Sequence, residues 1–232
     1  MTIRPRLSSH SLLRGHSFLD TNLAPGAVVV DGGAHKCEFA NAIASAYKVT
    51  VVALEPNAAL EPLPPEEGVT LHRLALAGED GTATFHIDTC AESSSLINTL
   101  SDPDARVATV QVMTNSLQTL MAEQQFSKIA LLKLDIEGAE YGVIKSIDSQ
   151  LAKIIEQITI EFHPMTPEGA DLEKLYNIFD YLDGLGFERV KASQSSFGDV
   201  IFLNRTCFSS PGPLFRSAIR FLRKFKEIRG RP

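Results

Sequence analysis

Apolar runs that end in acids recur along this chain. Val28, Val29 and Val30 run into Asp31 and the pair Gly32-Gly33, after which Phe39, Ile43 and Tyr47 recur at helical spacing. The pattern predicts a buried strand, a tight turn and a helix. A second apolar run, Val49 to Leu54, ends in Glu55-Pro56-Asn57, with Pro56 opening the next helix or turn. Pro62, Pro64 and Pro65 break the chain before a third strand, Val69 to Leu74. Thr82 to Ile87 and Val107 to Met113 read as an antiparallel pair, and the Ser- and Asp-rich stretch between them, Thr89 to Arg106, as a mobile loop. Ser116 to Gln125 reads as a helix started by Asn115 or Ser116. Ile129 to Leu134 is the next buried strand, followed by a helical face of Ala139, Val143, Ile144 and Ile147. Ile154 to Ile160 is another strand, and Leu172 to Leu182 an amphipathic helix stopped by Gly184 and Gly186. Phe187 to Ala192 and Val200 to Leu203 are the last two strands. Alternating strands and helices predict a mostly parallel α/β sheet covered on both faces. One domain is expected over residues 27–204, preceded by a segment, residues 1–26, read as loop or short helix around Ser11 to Leu13, and followed by a tail, residues 205–232.

Composition fits this picture. With 44% hydrophobic and 22% charged residues, the chain of 232 residues suits one α/β domain with a full core. No apolar run approaches the ~18 residues of a membrane span, and the N-terminus lacks the apolar stretch of a secretory signal. Cys37, Cys90 and Cys207 form neither a disulfide framework nor a zinc pattern, so a reducing, cytoplasmic setting is expected. Charge changes the picture at the tail. Residues 205–232 carry eight basic side chains and one acidic, a net of +7, whereas the rest carries 14 and 27, a net of −13. The acidic body argues against a nucleic-acid partner. After Ser210-Pro211-Gly212-Pro213, residues 214–229 place Leu214, Phe215, Ala218, Ile219, Phe221, Leu222, Phe225 and Ile228 on one helical half, opposite Arg216, Arg220, Arg223 and Lys224. Such a helix suits peripheral contact with an anionic membrane, a partner or its own domain. No pattern specifies the oligomeric state.

The candidate chemistry sits at the strand ends. Asp31 and the glycine turn allow the backbone to approach a ligand. Glu55, 24 residues after Asp31 at the tip of the second strand, is placed to bond a ribose diol, which points to a nucleoside-containing cofactor. Asp135 and Glu137 follow one central strand, and Glu161 and His163 follow the next in alternation, so the last two project to one side. These four could handle the proton of a bound hydroxyl or hold a divalent ion such as Mg²⁺, although no ligand spacing is diagnostic of a metal. Lys133 reads as a salt-bridge partner of Glu137 or Glu161, and Glu140 as a helix N-terminal acid facing the macrodipole.

Taken in order, Asp31-Gly32-Gly33-Ala34-His35, Glu55-Pro56-Asn57, Ala75-Leu76-Ala77 with Gly81, Lys133-Leu134-Asp135-Ile136-Glu137-Gly138-Ala139-Glu140 and Glu161-Phe162-His163 resemble the FkbM family of S-adenosylmethionine-dependent methyltransferases. Cys37 stands where that family usually has glycine, and His35 where it often has asparagine. The resemblance implies the Rossmann-like class I methyltransferase fold, a seven-stranded, mostly parallel sheet with an antiparallel last strand and a small inserted hairpin. It implies S-adenosyl-L-methionine held by Asp31, Gly32, Gly33, His35, Glu55, Pro56, Asn57 and Ala75, and methyl transfer to a hydroxyl of a sugar, glycan or natural product. Asp135 and His163 would lie nearest that hydroxyl, with Glu137 and Glu161 orienting them or sharing an ion. The competing readings are a methyltransferase of protein or RNA, against which the acidic body counts for RNA, and a non-catalytic nucleoside-binding module, which would not need acids at both strand ends.

Overall fold

The computed structural model describes residues 10–88, 94–96, 106–163, 172–191 and 199–208. Most of the Thr89 to Arg106 loop, with Cys90, and the amphipathic stretch 214–229 lie outside the described residues. In chain order, β1 (His10–Leu13) and β2 (His16–Leu19) form a hairpin, and β3 (Val28–Gly32), α1 (Glu38–Tyr47), β4 (Thr50–Leu54) and β5 (Val69–His72) a first parallel unit. Next come β6 (Ala75–Leu76), β7 (Gly81–Asp88) and β8 (Arg106–Asn115), then α2 (Leu117–Gln124), β9 (Leu131–Leu134), α3 (Glu140–Ser146) and α4 (Ser149–Ile154). The domain closes with β10 (Gln157–Ile160), α5 (Leu172–Gly184), β11 (Phe187–Lys191) and β12 (Val200–Asn204).

The main sheet has seven strands in the order β11-β12-β10-β9-β3-β4-β5, with β12 antiparallel to both neighbours and the run from β10 to β5 parallel. The inserted hairpin is β7-β8, to which β6 adds as a short parallel strand. Continuous apolar runs are what a parallel strand buried on both faces requires. Adjacent residues then serve opposite cores. Val30, Val52 and Leu132 pack with Leu120, Ile144 and Ile178 of α2, α3 and α5. Val29, Val51 and Leu131 pack with Phe39 and Ile43 of α1 and with Phe18 of β2.

Where loop or short helix was expected around Ser11 to Leu13, residues 10–19 form a hairpin. Arg14 and Gly15 turn it with φ of 49° and 87°, as a two-residue hairpin turn demands. Periodicity did not show it because all of β2 is buried, so the alternation of a half-exposed strand is missing. The hairpin covers the face that α1 leaves open: Phe18 meets Phe39 and Tyr47 edge-on, and the Gln157 side chain accepts from the Leu19 N–H and donates to its carbonyl. Of the helix or turn expected at Pro56 the chain takes the turn, with the Leu60 N–H donating to the Asn57 carbonyl. After Pro56 the prolines remove the backbone donors that a helix needs, and Arg73 donates to the Asn57 and Leu60 carbonyls. Two further expectations are corrected. Ile154 ends a helix, α4, which Asp148 caps by accepting from the Gln150 and Leu151 N–H groups. The first residues of the expected tail belong to the domain, with Phe208 buried against Leu19, Ile201 and Leu203. Among the described residues no helix is long and apolar enough to cross a membrane.

The strand order reverses at β3, whose neighbours are β4 and β9. In open α/β sheets the crevice beyond the carboxyl ends of such strands is where ligands bind.

Candidate active site

A cavity of about 390 Å³ lies at that switch point, lined from the ends of β3, β4, β9 and β10. Its first half is built by the turn after β3, where Gly33, His35 and Cys37 take φ of 76°, 50° and 66°. A Cβ on Gly33 would collide with the Asp135 carbonyl oxygen, so this turn presses against the turn after β9 and requires glycine. The left-handed φ of Cys37 explains why glycine suits that position; its side chain is buried beside α1. Glu55 ends β4 and is 7% exposed. Its Oε2 accepts from the His35 N–H at 2.9 Å and its Oε1 from the Asn57 N–H at 2.8 Å. Burial raises its pKa, and the two N–H groups with the charges of His35 and Arg73 pull against that rise. Each oxygen keeps a lone pair for a further donor.

Gly33, His35, Glu55, Pro56 and Ala75 line this half together with Leu54 and Leu76. Asp31, Gly32 and Asn57 stand behind the wall. Asp31 is fully buried and ion-paired with Lys133 at 3.0 Å. Gly32 leaves room for Leu76, whose side chain would lie 3.2 Å from an added Cβ. Asn57 shapes the turn after β4, its Oδ1 accepting from the Ala59 N–H.

The second half gathers Asp135, Glu137, Glu161 and His163. Asp135 Oδ2 lies 3.2 Å from His16 Nε2 and 3.5 Å from Lys133 Nζ. Lys133 therefore pairs with Asp31 and Asp135 and not with Glu137 or Glu161, and it also donates to the Gly33 carbonyl at 3.0 Å. Burial disfavours its ammonium, but the two aspartates outweigh burial and raise its pKa. Burial likewise works against ionised Asp135, yet the His16 hydrogen bond and the Lys133 charge hold it well below the usual carboxylate range. His163 is clamped from behind: its Nδ1 lies 3.0 Å from Glu140 Oε1. Glu140 is fully buried and accepts from the Ile136 and Gly138 N–H groups at 3.0 and 2.9 Å. The other ring nitrogen, Nε2, faces Glu137 at 3.3 Å and Asp135 at 3.8 Å. Burial would lower the pKa of the ring, but Glu140, through its hydrogen bond and charge, and then Glu137 and Asp135 push it up to about 9. Glu137 sits at a strained φ of 53°, and burial raises its pKa to about 7.

The family model described as "Methyltransferase FkbM domain" matches residues 31–189. The chain belongs to the FkbM methyltransferase family. Among solved structures, the chain is similar to a precorrin-6y C5,15-methyltransferase from Geobacter metallireducens, with 11% identity, 78% of this chain and 84% of that chain covered, and a TM-score of 0.34. No curated protein matches the sequence.

In this FkbM-family chain each of the five motifs sends at least one residue into the same cavity. Two neighbours escaped sequence reasoning. Glu140 carries a signal, its place in the Lys133–Glu140 motif, but spacing does not show that it seats His163. His16 carries none: it precedes the matched residues 31–189 and reaches Asp135 only through the hairpin.

Proposed function

We propose that this protein is an S-adenosylmethionine-dependent O-methyltransferase acting on a hydroxyl of a sugar, glycan or natural product. The observation that carries the reading is one cavity with a buried carboxylate, Glu55, at one end and a cluster of titratable groups at the other. The first half fits the cofactor: Glu55 offers two lone pairs to a ribose diol, Leu54, Pro56, Ala75 and Leu76 form an apolar wall, and the turn after β3 brings backbone close. When bound, S-adenosylmethionine supplies an activated methyl group.

The chain must then align a hydroxyl and take its proton. On its ordinary pKa near 6.5, His163 is the natural base. With its pKa at about 9, the ring instead keeps its proton at neutral pH, and Glu137, at about 7, is the group with a lone pair to spare. We therefore assign the base to Glu137. It takes the hydroxyl proton, while imidazolium His163, held by Glu140, balances the charge of Glu137 and Asp135. Glu161 and Asp135 accept from further hydroxyls, and Phe85 and Leu96 offer apolar surface to a ring face. Mg²⁺ is a second reading, supported because Asp135, Glu137 and His163 each place one ligand atom within 4.8 Å of the others. A cation there would lower the acceptor's pKa. Activity lost to a chelator and restored by Mg²⁺ would favour it over Glu137 as base.

Calorimetric titration with S-adenosylmethionine, then turnover on a panel of sugars, tests the reading. Glu55→Ala loses two charge-assisted bonds and should weaken binding by about 2–4 kcal/mol, roughly 30- to 1,000-fold in Kd. Unchanged affinity would remove Glu55 from the cofactor site.

A further inference from the structure

We propose that His16 is a positioning residue of the active site: from the N-terminal hairpin it donates to Asp135 Oδ2 and fixes which carboxylate oxygen faces the cavity. The proposal rests on the methyltransferase reading above. His16 is 2% exposed, lines the cavity and places Nε2 3.2 Å from Asp135 Oδ2. Packing alone does not call for it. Its ring meets Phe39 edge-on at 5.7 Å, a contact that phenylalanine would make without burying two ring nitrogens. The other nitrogen, Nδ1, is buried and has no hydrogen-bond partner among the described residues. A bare acceptor there is cheaper than an orphaned N–H, so the proton sits on Nε2 and points at Asp135.

Lys133 does not make His16 redundant. Its Nζ is nearer to Asp31 and the Gly33 carbonyl, both at 3.0 Å, than to Asp135, at 3.5 Å. His16 is therefore the closer donor to Oδ2, and with that oxygen tied, Oδ1 is the one facing His163 Nε2. The hairpin is anchored well enough to set this geometry. The Ser17 N–H and hydroxyl both donate to buried Asp199, and Leu19 is bracketed by the Gln157 side chain. The hairpin thus supplies part of the active site from outside the matched methyltransferase region.

The full chain is compared as wild type, His16→Phe and His16→Gln. Phenylalanine keeps the contact with Phe39 and removes the donor, whereas glutamine puts an N–H near the position of Nε2. His16→Phe should lower kcat roughly ten- to hundredfold with S-adenosylmethionine affinity unchanged, and His16→Gln should recover most of it. Equal turnover in wild type and His16→Phe, or equal losses in both variants, would overturn the proposal. A long-range ¹H–¹⁵N spectrum of the wild type needs neither cofactor nor activity. It should show His16 as the Nε2–H tautomer, with that shift moving in Asp135→Asn. An Nδ1–H tautomer, or a shift indifferent to Asp135, would also overturn it. Absence of cofactor binding by the wild type would instead refute the functional reading and leave the spectrum to judge the hydrogen bond.

Discussion

Replacing Glu140 by glutamine tests how the second half of the site is charged. In the unfolded chain the His163 ring titrates near 6.5, and in the folded one at about 9. At ~1.4 kcal/mol for each tenfold change in proton affinity, this is worth about 3 kcal/mol. Because the folded value is raised, that stability is fully present below pH 6.5 and is lost as pH rises through 9. Glu140→Gln removes the hydrogen bond and the charge that lead the causes of the rise, so most of this contribution should go. A second cost does not depend on pH. Oε1 accepts from Ile136 and His163 and Oε2 from Gly138, so either orientation of the amide sets an N–H against a donor. One unsatisfied buried group costs about 1–3 kcal/mol. Urea unfolding followed by circular dichroism should find the variant less stable by about 3–5 kcal/mol at pH 6, with the gap shrinking to about 1–3 kcal/mol at pH 10. For Glu137 the two changes oppose each other, since the Glu140 charge raises its pKa and the His163 charge lowers it. A gap that stays constant between pH 6 and 10 would show that Glu140 does not hold the proton on His163, and the assignment of the base to Glu137 would lose its support.

Glu137→Gln should cut turnover by about 10²–10⁴-fold with cofactor affinity retained. In the wild type, turnover should rise through pH 7 as Glu137 ionises and fall near pH 9 as His163 loses its proton; a flat profile over that range would oppose the pairing. Gly33→Ala should lower stability by at least about 1–3 kcal/mol from its left-handed φ alone, with the collision against the Asp135 carbonyl added, so an unchanged urea midpoint would contradict the packed turns. If residues 214–229 form a membrane-surface helix, the full chain should co-sediment with phosphatidylserine vesicles and the chain ending at Ser210 should not; equal sedimentation would exclude that role.

Strand interiors were legible because burial on both faces leaves a local trace. Val28 to Val30, Val49 to Leu54 and Ile129 to Leu134 are apolar runs that no exposed element would carry, and each leads into the acid that marks the site. Turn chemistry was legible where one residue type is required, as at Gly33. Where tertiary contacts override the pattern, reading failed. Buried β2 shows no alternation, and Ile154 closes α4 instead of opening a strand.

The order of the elements, the family motifs and the acids at the strand ends are legible along the chain, since these depend on residues close together in it. Partners and the pull on each proton arise once the chain is folded. His16 and Asp135 are 119 residues apart, and Lys133 reaches back to Asp31 across the β3–β9 pairing. The proton preferences of Glu137 and His163 depend on burial and on Glu140, and no spacing along the chain encodes either. Coulomb energy and desolvation depend on distance through space, which is why the strand ends could be read from the sequence while the charges gathered around them could not.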